Sequence, residues 1–339
     1  MNTPNTGTHT APTNTAAQPA PGFELRGVTK KFGRHAAIDG ATATLPGSTV
    51  YGLIGRNGAG KTTLLRAMAG QIHHTGEILV AGQPVFDNAD VLGQLILAGP
   101  DVPWPETKVK HLIRIAAARW PNWSQDLADQ LIADFQLDTR KTLNELSRGQ
   151  RSIASIVIGL AAQAPVTLLD EPYLGLDVQN RQLFYRHLLA DVEANPRTII
   201  LSTHHIEDAA KILDSVILID SGRITGVGSL EEITQRIVTL SGSSAAVGSL
   251  VTRLGCSSSL LGDATSAGAR RVTVDLATLP GLAAEGAGAP KVPMTLERLR
   301  GLAEGTGVRV QACDLEQAVL ALTGRDFHAL PADRKEDAS

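Results

Sequence analysis

Between Gly52 and Thr63 the chain reads GLIGRNGAGKTT, and within it Gly55, Gly60, Lys61 and Thr62 keep the spacing G-x-x-x-x-G-K-[ST]. Such a stretch leaves little choice of fold. Val50, Tyr51, Leu53 and Ile54 before it read as a buried strand, and Lys61 to Ala69, with Leu64, Leu65 and Met68 on one face, reads as the helix that follows. Between them Gly55, Arg56, Asn57, Gly58, Ala59 and Gly60 let the backbone curl, so that successive N–H groups turn inward at the positive end of the helix dipole. The loop is an anion cradle. Lys61 is placed to reach the β- and γ-phosphates of a nucleotide, and the Thr62 hydroxyl, next to Thr63, to ligate Mg²⁺.

The rest of the composition sets bounds. At 339 residues the chain has room for two domains, and 43% hydrophobic with 19% charged residues describes an ordinary water-exposed protein. A formal charge of −3 gives no electrostatic case for nucleic acid. Cys256 and Cys313 imply no disulfide framework, so a reducing compartment is expected. The longest apolar stretch, Ile153 to Leu169, is interrupted by Ser155, Gln163, Pro165 and Thr167 and does not read as a membrane span, and no secretory signal is expected.

Residues 1–22, rich in Thr, Asn, Ala and Pro, have almost nothing to bury and are expected to be disordered. Phe23, Leu25 and Val28 alternate as a strand, and Phe32 follows in a basic turn. Read locally, Phe32 fits a core position as well as an exposed ring stacking on adenine. His73 and His74 read as solvated. Trp104, Trp120 and Trp123 fall in a helical section, where Trp104 either packs or faces a partner. Ser147, Arg148, Gly149 and Gln150 open a helix read as Ser152 to Ala162, either a second anion-docking terminus or merely a capped helix. Val166 to Leu169 is a short strand ending in Asp170-Glu171-Pro172, where the carboxylates form an acidic turn or, beside a phosphate loop, hold Mg²⁺ and act as general base. Leu174-Gly175-Leu176-Asp177 precedes a helix from Val178 to Glu193, and the strand Thr198 to Ser202 ends on Thr203-His204-His205, with His204 in reach of a γ-phosphate. A metal reading of His205 with Glu207 and Asp208 matches no zinc spacing.

In this order, the phosphate loop, LSRGQ, LLDEP, LGLD and STH make the chain resemble the ATP-binding subunits of ABC transporters, over roughly Phe23 to Arg236. The resemblance implies an α/β fold of the P-loop NTPase class, with an antiparallel β subdomain and a helical subdomain at about 87–162. It implies Phe32 as the adenine platform, Gly55 to Thr63 as the phosphate site, Asp170 and Thr62 for Mg²⁺, and Glu171, Lys61 and His204 as catalytic residues. It also implies that Ser147, Gly149 and Gln150 face the ATP of an opposite subunit, with Asp177 communicating across the dimer. The partners implied are a second ATPase subunit, identical or paralogous, and a separately encoded permease holding the protein at the cytoplasmic face of the membrane. Two departures stand out. Arg148 replaces the middle glycine of the commonest signature, and no glutamine occurs in Leu97 to Pro103, where Asp101 is the candidate substitute oxygen donor.

Residues 237–328, rich in Gly, Ala and Ser, read as a small α/β appendage with helices at Leu296 to Ala303 and Asp314 to Leu322, a mobile loop at Gly281 to Pro290, and a polar tail at 329–339. The ending Asp314 to Gly324 is similar to C-terminal extensions of export-type ABC ATPases. The interval between phosphate loop and signature lacks the long coiled coil of DNA-repair relatives, and the single phosphate loop departs from translation-type relatives. An exporter ATPase is therefore expected, with a soluble ABC-type ATPase in a non-transport regulatory role as the alternative.

Overall fold

The computed structural model describes residues 20–204, 206–257, 259–279, 282–283 and 291–322. Most of the expected N-terminal tail, most of the loop at Gly281 to Pro290 and the polar tail lie outside the described residues.

Strands β1 (Phe23–Phe32) and β2 (His35–Leu45) precede β3 (Val50–Ile54), the phosphate loop and α1 (Lys61–Met68). Next come β4 (Thr75–Val80), β5 (Gln83–Pro84), α2 (Ala89–Leu92) and β6 (Leu95–Ala98). A helical stretch follows: α3 (Val109–Arg119), α4 (Gln125–Asp134) and α5 (Arg148–Ala161). Then β7 (Val166–Asp170), α6 (Val178–Ala194), β8 (Thr198–Thr203), α7 (Ile206–Ala209), β9 (Ser215–Asp220), β10 (Arg223–Ser229) and α8 (Leu230–Arg236) complete the larger body. The remainder holds β11 (Ile237–Ser243), α9 (Ser244–Leu254), β12 (Leu260–Ser266), β13 (Ala269–Asp275), the short hairpin β14 (Leu282–Ala283) and β15 (Lys291–Val292), α10 (Leu296–Ala303), β16 (Arg309–Ala312) and α11 (Leu315–Leu322).

The central sheet runs β10-β9-β3-β8-β7-β6, parallel throughout except for the β9–β10 hairpin. Its inner strands are apolar along their whole length because helices cover both faces; β3 and β7 are buried at every residue. Parallel strands deliver their carboxyl ends to one edge. Ile54, Ala98, Asp170 and Thr203 therefore end side by side, and the loops that follow them share one crevice. The antiparallel sheet β2-β1-β4-β5 stands beside this edge and brings Phe32 and His35 to the phosphate loop.

Helix α5 starts at Arg148, one turn earlier than its apolar periodicity alone indicates. The cause is a capping box: Gln150 N–H donates to Ser147 Oγ (3.2 Å) and Ser147 N–H to Gln150 Oε1 (3.1 Å), which carries Gly149 into the helix. Ser124 caps α4 as its sequence predicts, accepting from Leu127 N–H at 3.2 Å. Trp104 is half-buried and packs against both main apolar clusters of the larger body.

The C-terminal sheet β12-β13-β11-β16 has its own core, with Val238, Leu240, Val247, Leu250, Val272 and Val274 at its centre. Its last helix lies between that sheet and the larger body, touching β11 and β12 on one side. Cys313, Leu315, Ala318, Val319 and Ala321 join the core that contains Leu213, Ile233 and the α5 side chains, so α11 returns to pack on α7 and α8. Arg236, at the end of α8, further grips Asp275 of β13 with two hydrogen bonds of 2.6 and 2.5 Å. Placing an uncompensated carboxylate in this seam with Val319→Asp is expected to destabilise the chain by about 3 kcal/mol. Thermal unfolding checks it: a lower midpoint for the larger body is the expected result, whereas an independent appendage would leave that transition unmoved.

Candidate functional site

The phosphate loop is built to present free N–H groups. Gly60, the residue before α1, has φ 106°, and a Cβ there would stand 2.4 Å from Ala37 O, so only glycine fits. No side chain caps this helix, whereas Ser147, Asp177 and Ser229 cap α5, α6 and α8. The uncapped terminus leaves the N–H groups of Lys61, Thr62 and Thr63 for an anion. Around them Arg56, Asn57 and Gly58 are exposed, while Ala59 is buried, and its carbonyl accepts from Gly222 N–H at 2.9 Å and pins the loop to the β9–β10 turn.

Lys61 is buried and folded back on the loop: Nζ donates to Gly55 O (2.9 Å) and Arg56 O (3.3 Å), and lies 3.7 Å from Glu171 Oε1. Burial lowers its pKa, and the neighbouring Glu171 and Asp170 act in the opposite sense. Asp170, the last residue of β7, is driven up by burial, while hydrogen bonds from Ser202 and Thr62 hold it down. Its Oδ1 accepts from Ser202 Oγ at 2.8 Å and from Thr62 Oγ1 at 3.2 Å. This hydroxyl and carboxylate are hard oxygen donors beside a phosphate cradle, the kind of partial set that Mg²⁺ completes with phosphate oxygens and water. A cation there would offset the desolvation of Asp170. The donor set fits.

Glu171 follows in a left-handed conformation (φ 44°), a strained geometry for a non-glycine residue. Its N–H donates to Ser202 Oγ at 2.8 Å, and its carboxylate stands between Lys61 and His204, whose Nδ1 is 3.7 Å from Oε2. His204 in turn sits on Tyr173: its N–H donates to the Tyr173 hydroxyl (3.1 Å), and the rings meet edge to face at 5.9 Å. The Tyr173 hydroxyl also donates to Ser202 O at 3.4 Å. Tyr173 and Ser202 thus bind the ends of β7 and β8 together, and neither stood out in the sequence. Tyr173 lies inside LLDEPYLGLD and Ser202 is the first residue of STH, but neither is given a role of its own by the motif.

A cavity of about 290 Å³ brings together Phe32, Asn57, Gly58, Gly60, Lys61, Thr62, Thr63 and Glu171, together with His35 and Ala37, which sequence reasoning missed. The Phe32 ring is 55% exposed and carries Lys30 Nζ 5.0 Å from its centroid, so it is a surface ring and not a core residue.

Ser147, Gly149, Gln150 and Asp177 line no part of this cavity. They form a second group, where the α5 N-terminus meets the segment before α6. Ser152 Oγ donates to Leu174 O (2.6 Å), and Asp177 caps α6 by accepting from Asn180 N–H (2.8 Å). A Cβ at Gly149 would stand 2.4 Å from Gly175 O, which requires glycine there. Arg148 instead reaches outward to Asp101, Nη2 to Oδ2 at 2.9 Å. The Asp101 carboxylate, the candidate substitute oxygen donor, is paired with Arg148 in the structure. Gln94 lies off the site, donating to Asp90 O at 3.1 Å. His205 lies outside the described residues, and among the described residues no His, Cys, Asp and Glu cluster suited to a metal is present.

Residues 38–174 match the family model described as ABC transporter. The chain is 30% identical over 220 residues to the Nod factor export ATP-binding protein I of Burkholderia lata, covering 62% of this chain and 72% of that one. It is 31% identical over 206 residues to the aliphatic sulfonates import ATP-binding protein SsuB of Mycobacterium avium, covering 59% of this chain and 78% of the relative. A dimeric ATP-binding cassette, solved in a post-hydrolysis state with ADP and Pi, shares the fold with a TM-score of 0.53 at 20% identity, over 61% of this chain and 98% of that one.

Tyr173→Phe keeps the ring and removes the hydroxyl that anchors His204 N–H. ATP turnover is expected to fall about tenfold with ATP affinity unchanged, as when an interaction serves only the transition state. Equal turnover in the two proteins would show that the hydroxyl has no such part.

Proposed function

Because this chain belongs to the ABC transporter ATP-binding proteins, we propose that it binds ATP with Mg²⁺, hydrolyses it across a dimer interface, and powers an exporter whose permease is a separate chain. The observation that supports this best is the juxtaposition, at one sheet edge, of an uncapped phosphate-loop helix with Lys61, Glu171 and His204 in line. The adenine stacks on Phe32, and the phosphates take the N–H groups from Gly60 to Thr63. Lys61 exchanges the carbonyls of Gly55 and Arg56 for phosphate oxygens. Thr62 and Asp170 would hold Mg²⁺, which would supply charge neutralisation to the triphosphate. Glu171 accepts a proton as water oxygen bonds to the γ-phosphorus; the bond from that phosphorus to the β–γ bridging oxygen breaks, and ADP leaves with the electron pair. His204 steadies the γ-phosphate.

Ser147 and Gly149, held by the Gln150 capping bond, reach the γ-phosphate of a second copy or a paralogous subunit, and Asp177 lies at the same seam. The site is therefore complete only when two protomers close on ATP, and hydrolysis lets them part. Among the described residues no helix is long and apolar enough to cross a membrane; a permease holds the protein at the cytoplasmic face. Residues 23–236 act as the ATPase domain, with a helical subdomain that contacts the permease, expected at about 87–162 and here following β6 of the central sheet, and the segment from 237 steadies the dimer. Export is read from the likeness of the C-terminal ending to export-type extensions, while the relatives include both an export and an import subunit.

Glu171→Gln is expected to cut ATP hydrolysis at least a hundredfold while an ATP-bound dimer accumulates on size exclusion. Normal hydrolysis by this variant, or a monomer in ATP, contradicts the reading. Direction is tested with vesicles containing the co-purified permease: cargo leaving the ATP side supports export, and cargo gathering there contradicts it.

A further inference from the structure

The two departures from the family's sequence pattern touch each other. We infer that Asp101 is a positioning residue that acts through Arg148 to set where the α5 N-terminus, and so Ser147 and Gly149, points towards the partner's ATP; this rests on the functional reading above. The segment from Gly99 to Val102 is a junction of the elements that hold the nucleotide. Arg66 of α1 donates to Asp101 O at 3.3 Å, and Ser155 of α5 donates to Gly99 O through a buried bond of 2.8 Å. A Cβ on Gly99 would stand 2.5 Å from Asp170 O, so this backbone lies directly against the Mg²⁺-directing carboxylate residue. From that junction the Asp101 carboxylate reaches Arg148, the first residue of α5, between the signature residues Ser147 and Gly149.

A glycine at 148 makes no such link. Arginine there, joined to a carboxylate on the loop after β6, gives a continuous connection from α1 to the surface offered to the other protomer. The pair is half open to solvent, 53% and 59% exposed, so it contributes little to folding. Its effect is on helix orientation, read in assembly and turnover.

The experiment is a double-mutant cycle on the full chain, with ATPase rates measured across protein and ATP concentrations. Asp101→Ala is expected to lower turnover about fivefold at limiting protein, the scale of one charge pair. The thermal midpoint and binding of a fluorescent ATP analogue to the isolated protomer are expected to stay unchanged, and Asp101→Glu to retain wild-type turnover. In an Arg148→Gly background, Asp101→Ala is expected to add no further loss. Wild-type turnover in Asp101→Ala, or losses that multiply in the double variant, overturns the inference and leaves the functional reading intact. A wild-type chain with no turnover, tested with its permease, overturns that reading and this inference with it.

Discussion

The structure depends on a helix terminus left without a cap. At the start of α1 glycine stands where most helices of this chain place a serine, threonine or aspartate, and the unpaired N–H groups remain directed at a cavity. Leaving such donors unpaired is costly in a dry interior and tolerable where an anion replaces the cap. Lys61, folded back on the carbonyls of its own loop, is the resting counterpart of that arrangement. Everything at the crevice follows from the neighbours of β3: because β8 and then β7 lie beside it in parallel, their carboxyl ends set His204 and Asp170-Glu171 facing the same loop.

The electrostatics of the crevice belong to a site made for a polyanion and a cation. Burial disfavours the charge on Lys61 and on Asp170 alike. Phosphate oxygens would offset the first and a divalent ion the second, so that ligand binding would compensate these desolvation costs. Glu171 is held differently, in a left-handed backbone fixed by Ser202, which aims its carboxylate between a lysine and a histidine.

Much of this was legible in the sequence, for a physical reason: phosphate binding is done by backbone, and the backbone geometry demands particular residues at fixed spacing. Gly60, Lys61, Thr62, Asp170, Glu171 and His204 were each readable because few substitutes exist. Phe32 was ambiguous locally, since a ring in a basic turn carries no mark of its exposure. Tyr173 and Ser202 were invisible because they act through a hydroxyl whose partners lie on another strand. The pairing of Asp101 was not legible because its partner, Arg148, lies far along the chain. In the C-terminal part, β11, α9 and β12 were missed, their small Gly, Ala and Ser residues blurring the apolar periodicity, and the return of α11 to the larger core is a tertiary fact that no local pattern encodes.

The central claim is that one protomer's phosphate loop works only with another's signature. Mixing Lys61→Ala protein with Ser147→Ala protein tests it directly, because a head-to-tail pair of the two contains one intact composite site. Each variant alone should be inactive, and the mixture should recover ATP turnover, approaching about a quarter of the wild-type rate at equal amounts if pairs form at random and each intact site works independently. A mixture as inactive as its components, beside wild-type protein that turns over ATP, would contradict the account.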